Sequence, residues 1–96
     1  MRRLLLLPVM LLASCAAKPE PLTVQSVMQR AEAVDVRCPR EGACLGETRM
    51  SPLVLSKALD LPLEQTGDNW DASTTALEVH VWSIGGDVYV VHARTH

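Results

Sequence analysis

The chain has 96 residues, 48% of them hydrophobic and 3% aromatic, with no phenylalanine and a formal net charge of −2 at neutral pH. That length allows one small domain, whose core must be filled mainly by leucine and valine. The acidic balance argues against nucleic acid as a partner and against a polybasic membrane-surface module, both of which need a clustered basic face.

The chain begins with Arg2 and Arg3, followed by an apolar run from Leu4 to Leu12 and the small residues Ala13 and Ser14. Basic residues, a short apolar stretch and small residues in that order form an export signal. A spanning helix needs about 20 apolar residues. The apolar stretch here ends at Lys18 and is interrupted by Pro8. The residues Leu12-Ala13-Ser14-Cys15 resemble the lipobox of bacterial lipoproteins. That resemblance implies removal of residues 1–14 and acylation of Cys15, with palmitate among the attached chains, so that Cys15 is the lipid anchor of the mature protein. It also implies outer-membrane sorting with the domain facing the periplasm, because Ala16 and not an aspartate follows the cysteine. The alternative is an ordinary signal peptide that leaves Cys15 a plain thiol.

Residues 15–21 carry the cysteine and a short linker, in which Pro19 and Pro21 favour extended backbone. Six residues reach about 20 Å at most, which keeps the domain of residues 22–96 close to its membrane. Without the first fourteen residues the chain keeps seven basic and eleven acidic side chains.

From Val24 the apolar residues Val27, Met28, Ala31 and Val34 recur at helical spacing. Thr23 is the expected N-cap, with Ser26 and Gln29 as a weaker start one turn later. Val34 to Arg37 alternates apolar and charged residues, as an edge strand does. Cys38 to Arg49 contains Pro39, Gly42 and Gly46 among charges of both signs and reads as a surface loop. If Cys15 is acylated, Cys38 and Cys44 are left as an even pair in an exported chain, which favours a disulfide. Free thiols and a zinc site are the competing readings, the latter without the CxxC spacing or nearby histidines that zinc sites use.

Ser51-Pro52 marks a helix start, and Pro62 ends the helix, for a span near Pro52 to Leu61 with Val54, Leu55, Ala58 and Leu59 on one face. Thr66 to Asn69 is a turn, and Trp70 after it covers the end of a small core, or else serves as an exposed binding anchor.

Thr75–Ile84 and Asp87–Arg94 flank Gly85-Gly86 and form a hairpin. A two-residue loop would pair Trp82 with Tyr89 and Val81 with Val90. A three-residue loop would pair Val81 with Val91, Val79 with Ala93, His80 with His92 and Glu78 with Arg94. The second is preferred because it collects the small apolar residues on one face and sets unlike charges opposite each other.

Chemistry is sparse. His80 and His92, with His96 beyond, are weak metal candidates, since no carboxylate or thiol of the hairpin completes a site. Ser83 lies near His80 in sequence without a nucleophile elbow. Asp68 and Asp71 form an acidic pair, but as carboxylates in a turn they read as solvated. The expectation is therefore no catalytic residue, no cofactor and no small-molecule substrate. The fold class is α+β, a small domain with two short helices and a C-terminal β-hairpin after the signal peptide. The expected role is a non-enzymatic interaction subunit of an envelope assembly of the secretion or conjugation type, held to the membrane by its lipid and contacting an envelope protein partner. Two alternatives share this anatomy: a bacteriophage outer spanin, which disrupts the outer membrane during host cell lysis with an inner-membrane partner, and a phage superinfection-exclusion lipoprotein.

Overall fold

A computed structural model of the protein describes residues 21–96. The readings placed on the signal peptide, on Cys15 and on all but the end of the linker lie outside the described residues. The described chain is an α+β domain of two helices and one six-stranded antiparallel sheet.

Helix α1 (Val24–Arg30) starts at Thr23, whose hydroxyl accepts from the Ser26 amide while the Ser26 hydroxyl accepts from the Thr23 amide, a reciprocal capping box. Val24, Val27, Met28 and Ala31 are buried. The apolar spacing suggested that Val34 continues this stripe. Instead Glu32 takes a left-handed backbone at φ 52°, the helix stops, and Val34 opens a strand with 58% of its surface exposed.

Strand β1 (Val34–Arg40) and strand β2 (Ala43–Thr48) form a hairpin with its turn at Glu41-Gly42. The edge strand at Val34–Arg37 is as expected, but the surface loop expected over Cys38 to Arg49 is not. Gly42 supplies the positive φ the turn needs, at 81°, and the chain returns beside the C-terminal strand. Gly46, which looked like a loop residue, is a close-packing position. A Cβ there would lie 2.9 Å from the Ala33 Cβ and 3.0 Å from a Val36 methyl. The Cys38–Cys44 disulfide joins these two strands.

Helix α2 (Pro52–Leu59) is capped by the Ser51 hydroxyl and ends at Asp60, whose φ of 54° is left-handed, so it closes two residues before the expected Leu61. Leu55 and Leu59 are buried, Ala58 is half-buried, and Val54, expected on the same face, is exposed. Leu61 and Leu63 pack back on the core. Strand β3 (Glu64–Thr66) turns at Gly67-Asp68 into strand β4 (Asn69–Ser73).

Strands β5 (Leu77–Gly85) and β6 (Val88–Thr95) adopt the preferred register, with Val81 opposite Val91, Val79 opposite Ala93, His80 opposite His92 and Glu78 opposite Arg94. The loop differs from expectation. The ladder shifts between Ser83 and Gly85, Gly85 pairs with Val88, and the turn shortens to Gly86-Asp87 with a bulge before it.

The strand order is β1-β2-β6-β5-β4-β3, so the terminal hairpin lies at the centre of the sheet. Residues directly opposite on antiparallel strands share a face. One face carries Cys44, Val91, Ala93, Val79, Val81 and Leu77, which form a single core with Val27 and Met28 of α1 and Leu55 and Leu59 of α2. Trp70 also lies on this face, edge-on to Tyr89 with ring centroids 6.1 Å apart, so it closes the core as expected. Thr48, the one buried polar side chain among the described residues, donates to the Ala31 carbonyl at 2.5 Å and accepts from the Met50 amide, tying the end of α1 to β2.

Candidate functional site: the uncovered face of the sheet

Both helices lie on one side of the sheet, so the side chains that alternate with the core residues stand on the other side, which no helix among the described residues covers. The strand register arranges them in rows across the sheet. One row reads Arg37, Leu45, His92, His80, Asp71 and Glu64 from β1 to β3. A neighbouring row carries Glu47, Val90, Trp82 and Asn69, and another carries Arg40, Ala43, Arg94, Glu78 and Ser73.

His80 stands at the centre of this face. Its Nδ1 is 2.6 Å from an Asp71 carboxylate oxygen, and its Nε2 is 3.1 Å from Glu78 Oε1, which also accepts from Arg94 Nε at 2.5 Å. Both partners of the ring are carboxylates, which only accept, so both ring nitrogens donate and His80 is an imidazolium. The hydrogen bonds to Glu78 and then to Asp71 raise its proton affinity. In return, His80 first and Arg94 second hold the Glu78 carboxyl down to about 2. His92 stacks beside His80 with ring centroids 6.2 Å apart. Burial, and then the charge on His80, lower its proton affinity.

This geometry decides what the histidines can do. With both nitrogens committed, His80 has no lone pair for a metal ion or for taking a proton from a nucleophile. His92 therefore lacks the partner that the sequence offered it, and no cluster of three or more metal-ligating side chains occurs among the described residues. Ser83 belongs to the row of Tyr89, on the side of the sheet away from His80, and its hydroxyl accepts from the Gly85 amide. Ser73 does meet a histidine, with its hydroxyl 3.2 Å from His96 Nε2, but that nitrogen is 2.9 Å from the Thr74 carbonyl and must donate there. The Ser73 proton thus has no base to go to.

Asp68 sits in the β3–β4 turn, exposed, whereas Asp71 is on β4 and bound to His80. Reading Asp71 as a solvated turn residue was wrong. The signal that could have placed it is the alternation of Asn69, Asp71 and Ser73 with Trp70 and Ala72, a strand pattern directly after a turn motif. Two grooves reach this face at Glu47 and at Arg40. One of about 490 Å³ is lined by Glu32, Val34, Glu47 and Met50, and one of about 400 Å³ by Leu22, Val24, Arg40 and Leu77. The face carries charge of both signs around the half-buried Leu45 and Trp82, with the buried Val90 beside them. No helix among the described residues is long and apolar enough to cross a membrane. Comparisons with protein-family models, with curated proteins and with solved structures found no match.

Proposed function

We propose that the protein is a lipid-anchored outer-membrane lipoprotein whose domain faces the periplasm and acts by binding, as a non-enzymatic subunit of an envelope assembly of the secretion or conjugation type. Two features of the chain support the anchor: the lipobox-like Leu12-Ala13-Ser14-Cys15, and a disulfide between the two remaining cysteines, which suits an oxidising compartment. The observation that carries the binding role is the uncovered sheet face. Asp71, His80, Glu78 and Arg94 at its centre are engaged with one another, so that part of the surface is preorganised and the His80 ring has no free nitrogen.

Phenotype in a Gram-negative host tests the role. Deletion should impair secretion or conjugation, without lysis on overexpression and without loss of phage adsorption. Lysis that depends on a co-expressed inner-membrane partner would replace this reading with the spanin, and lost phage adsorption would replace it with the exclusion lipoprotein.

A further inference from the structure

The uncovered face has a symmetry of charge that the strand order creates. Strands β1, β2 and β6 bring Arg37, Arg40, Arg94 and His92 to one half of it. Strands β5, β4 and β3 bring Glu78, Asp71 and Glu64 to the other, with the charged His80 between Asp71 and Glu78. Leu45, Val90 and Trp82 lie across the middle. Glu47 is an acidic side chain on the basic half.

We infer that this face binds the same face of a second copy of the chain. A twofold axis along the strand direction, between β5 and β6, places β6 over the partner's β5, β2 over its β4 and β1 over its β3. Rows are preserved by that rotation. Arg37 then stands over Glu64 of the second copy, the bridged Arg94 and Glu78 over Glu78 and Arg94 of the other, the buried Val90 over the half-buried Trp82, Leu45 over Asp71, and Glu47 over the amide of Asn69. Every contact occurs twice, as an isologous interface requires. The neutral His92 meets the charged His80, so no pair of like charges faces across the centre. The other twofold arrangement, with its axis across the strands, would set the basic half on the basic half and is disfavoured by repulsion.

The size is adequate. Six strands about 4.8 Å apart, with about six residues each at about 3.3 Å, present about 600 Å² per copy, or about 1,200 Å² for the pair. That reaches the lower end of stable, specific interfaces. Aligned sheets pack about 10 Å apart with strand directions about 30° from each other, so the central rows register closely and the long Arg37 and Glu64 side chains span the divergence at the flanks.

The inference does not use the lipid anchor, and its test is separate. The full chain, extracted from cells in mild detergent, is examined by analytical ultracentrifugation at micromolar concentration in low salt. The wild type should sediment as a dimer and Arg37→Glu and Glu64→Arg each as a monomer, while the double variant recovers the dimer. Both positions are at the sheet edges, away from the core, and circular dichroism of each variant confirms the strand content. Should either variant lose that signal, Trp82→Ser at the centre of the face replaces it and should likewise be monomeric. A monomeric wild type, including one that binds a different protein through this face, would overturn the inference. So would single variants that remain dimeric with their strand signal intact.

Discussion

His80 and His92 stack across the central strand pair with ring planes 24° from parallel, yet their proton affinities are pushed in opposite directions. The cause is position: His80 lies between two carboxylates, whereas His92 is partly desolvated beside the charge on His80.

The pH dependence follows from those directions. Folded His80 holds its proton more tightly than the unfolded chain, so its contribution to stability is complete below the ordinary imidazole value of 6.5 and fades as pH rises through its own higher value. His92 resists protonation in the folded state, so its share is present above 6.5 and is lost as pH falls through its lower value. Glu78 contributes above 4.5 and loses that contribution as pH falls toward about 2. Proton NMR of the imidazole rings should show His80 titrating above 6.5 and His92 below it, and His80→Gln should move the His92 midpoint upward. Coincident midpoints for the two rings would show that the carboxylate clamp does not form.

The disulfide closes a ring of six residue steps between β1 and β2. Loop-closure entropy gives such a ring about 2 kcal/mol, so Cys38→Ser with Cys44→Ala should lower unfolding stability by about that amount. Chemical denaturation with and without reductant measures it: the wild type should lose about 2 kcal/mol on reduction and the double variant nothing.

Gly46 on β2 packs closely against Ala33 and Val36. An added methyl would press on Ala33 and Val36, so Gly46→Ala should cost about 1–3 kcal/mol by overpacking. Hydrogen exchange should show faster exchange in β1 of this variant and little change in β5.

Leu55 is fully buried between the helices and the sheet. Leu55→Ala should destabilise the domain by about 2–5 kcal/mol. Thr48→Val removes the hydroxyl that serves both Ala31 and Met50 and should cost about 1–3 kcal/mol, because the two backbone groups lose their partner. Thermal melts of the two variants separate the effects, since only Leu55→Ala opens a cavity.

The parts of the fold legible in the sequence are those with a strong local signal. Thr23 and Ser51-Pro52 marked the helix starts through capping chemistry, and the alternation of β5 and β6 marked the face of the terminal hairpin and favoured, of two registers, the one it adopts. Strands β2, β3 and β4 were not legible, because Cys44, Gly46 and Thr48 are small inward residues that make little apolar pattern, and β3 has three exposed polar residues. Their position depends on tertiary pairing with β6 and β5. The central cluster was half visible for the same reason. Glu78 with Arg94 and His80 with His92 follow from one hairpin, but Asp71 reaches His80 only across β4, a strand read as a turn.

The lipid anchor is the claim on which the proposed location and role rest, and metabolic labelling with radioactive palmitate in a Gram-negative host tests it most directly. The account predicts a labelled band for the wild type in the outer-membrane fraction, and for Cys15→Ser no label, no processing and loss from that fraction. An unlabelled wild type, or a serine variant that is processed and fractionates unchanged, would contradict it.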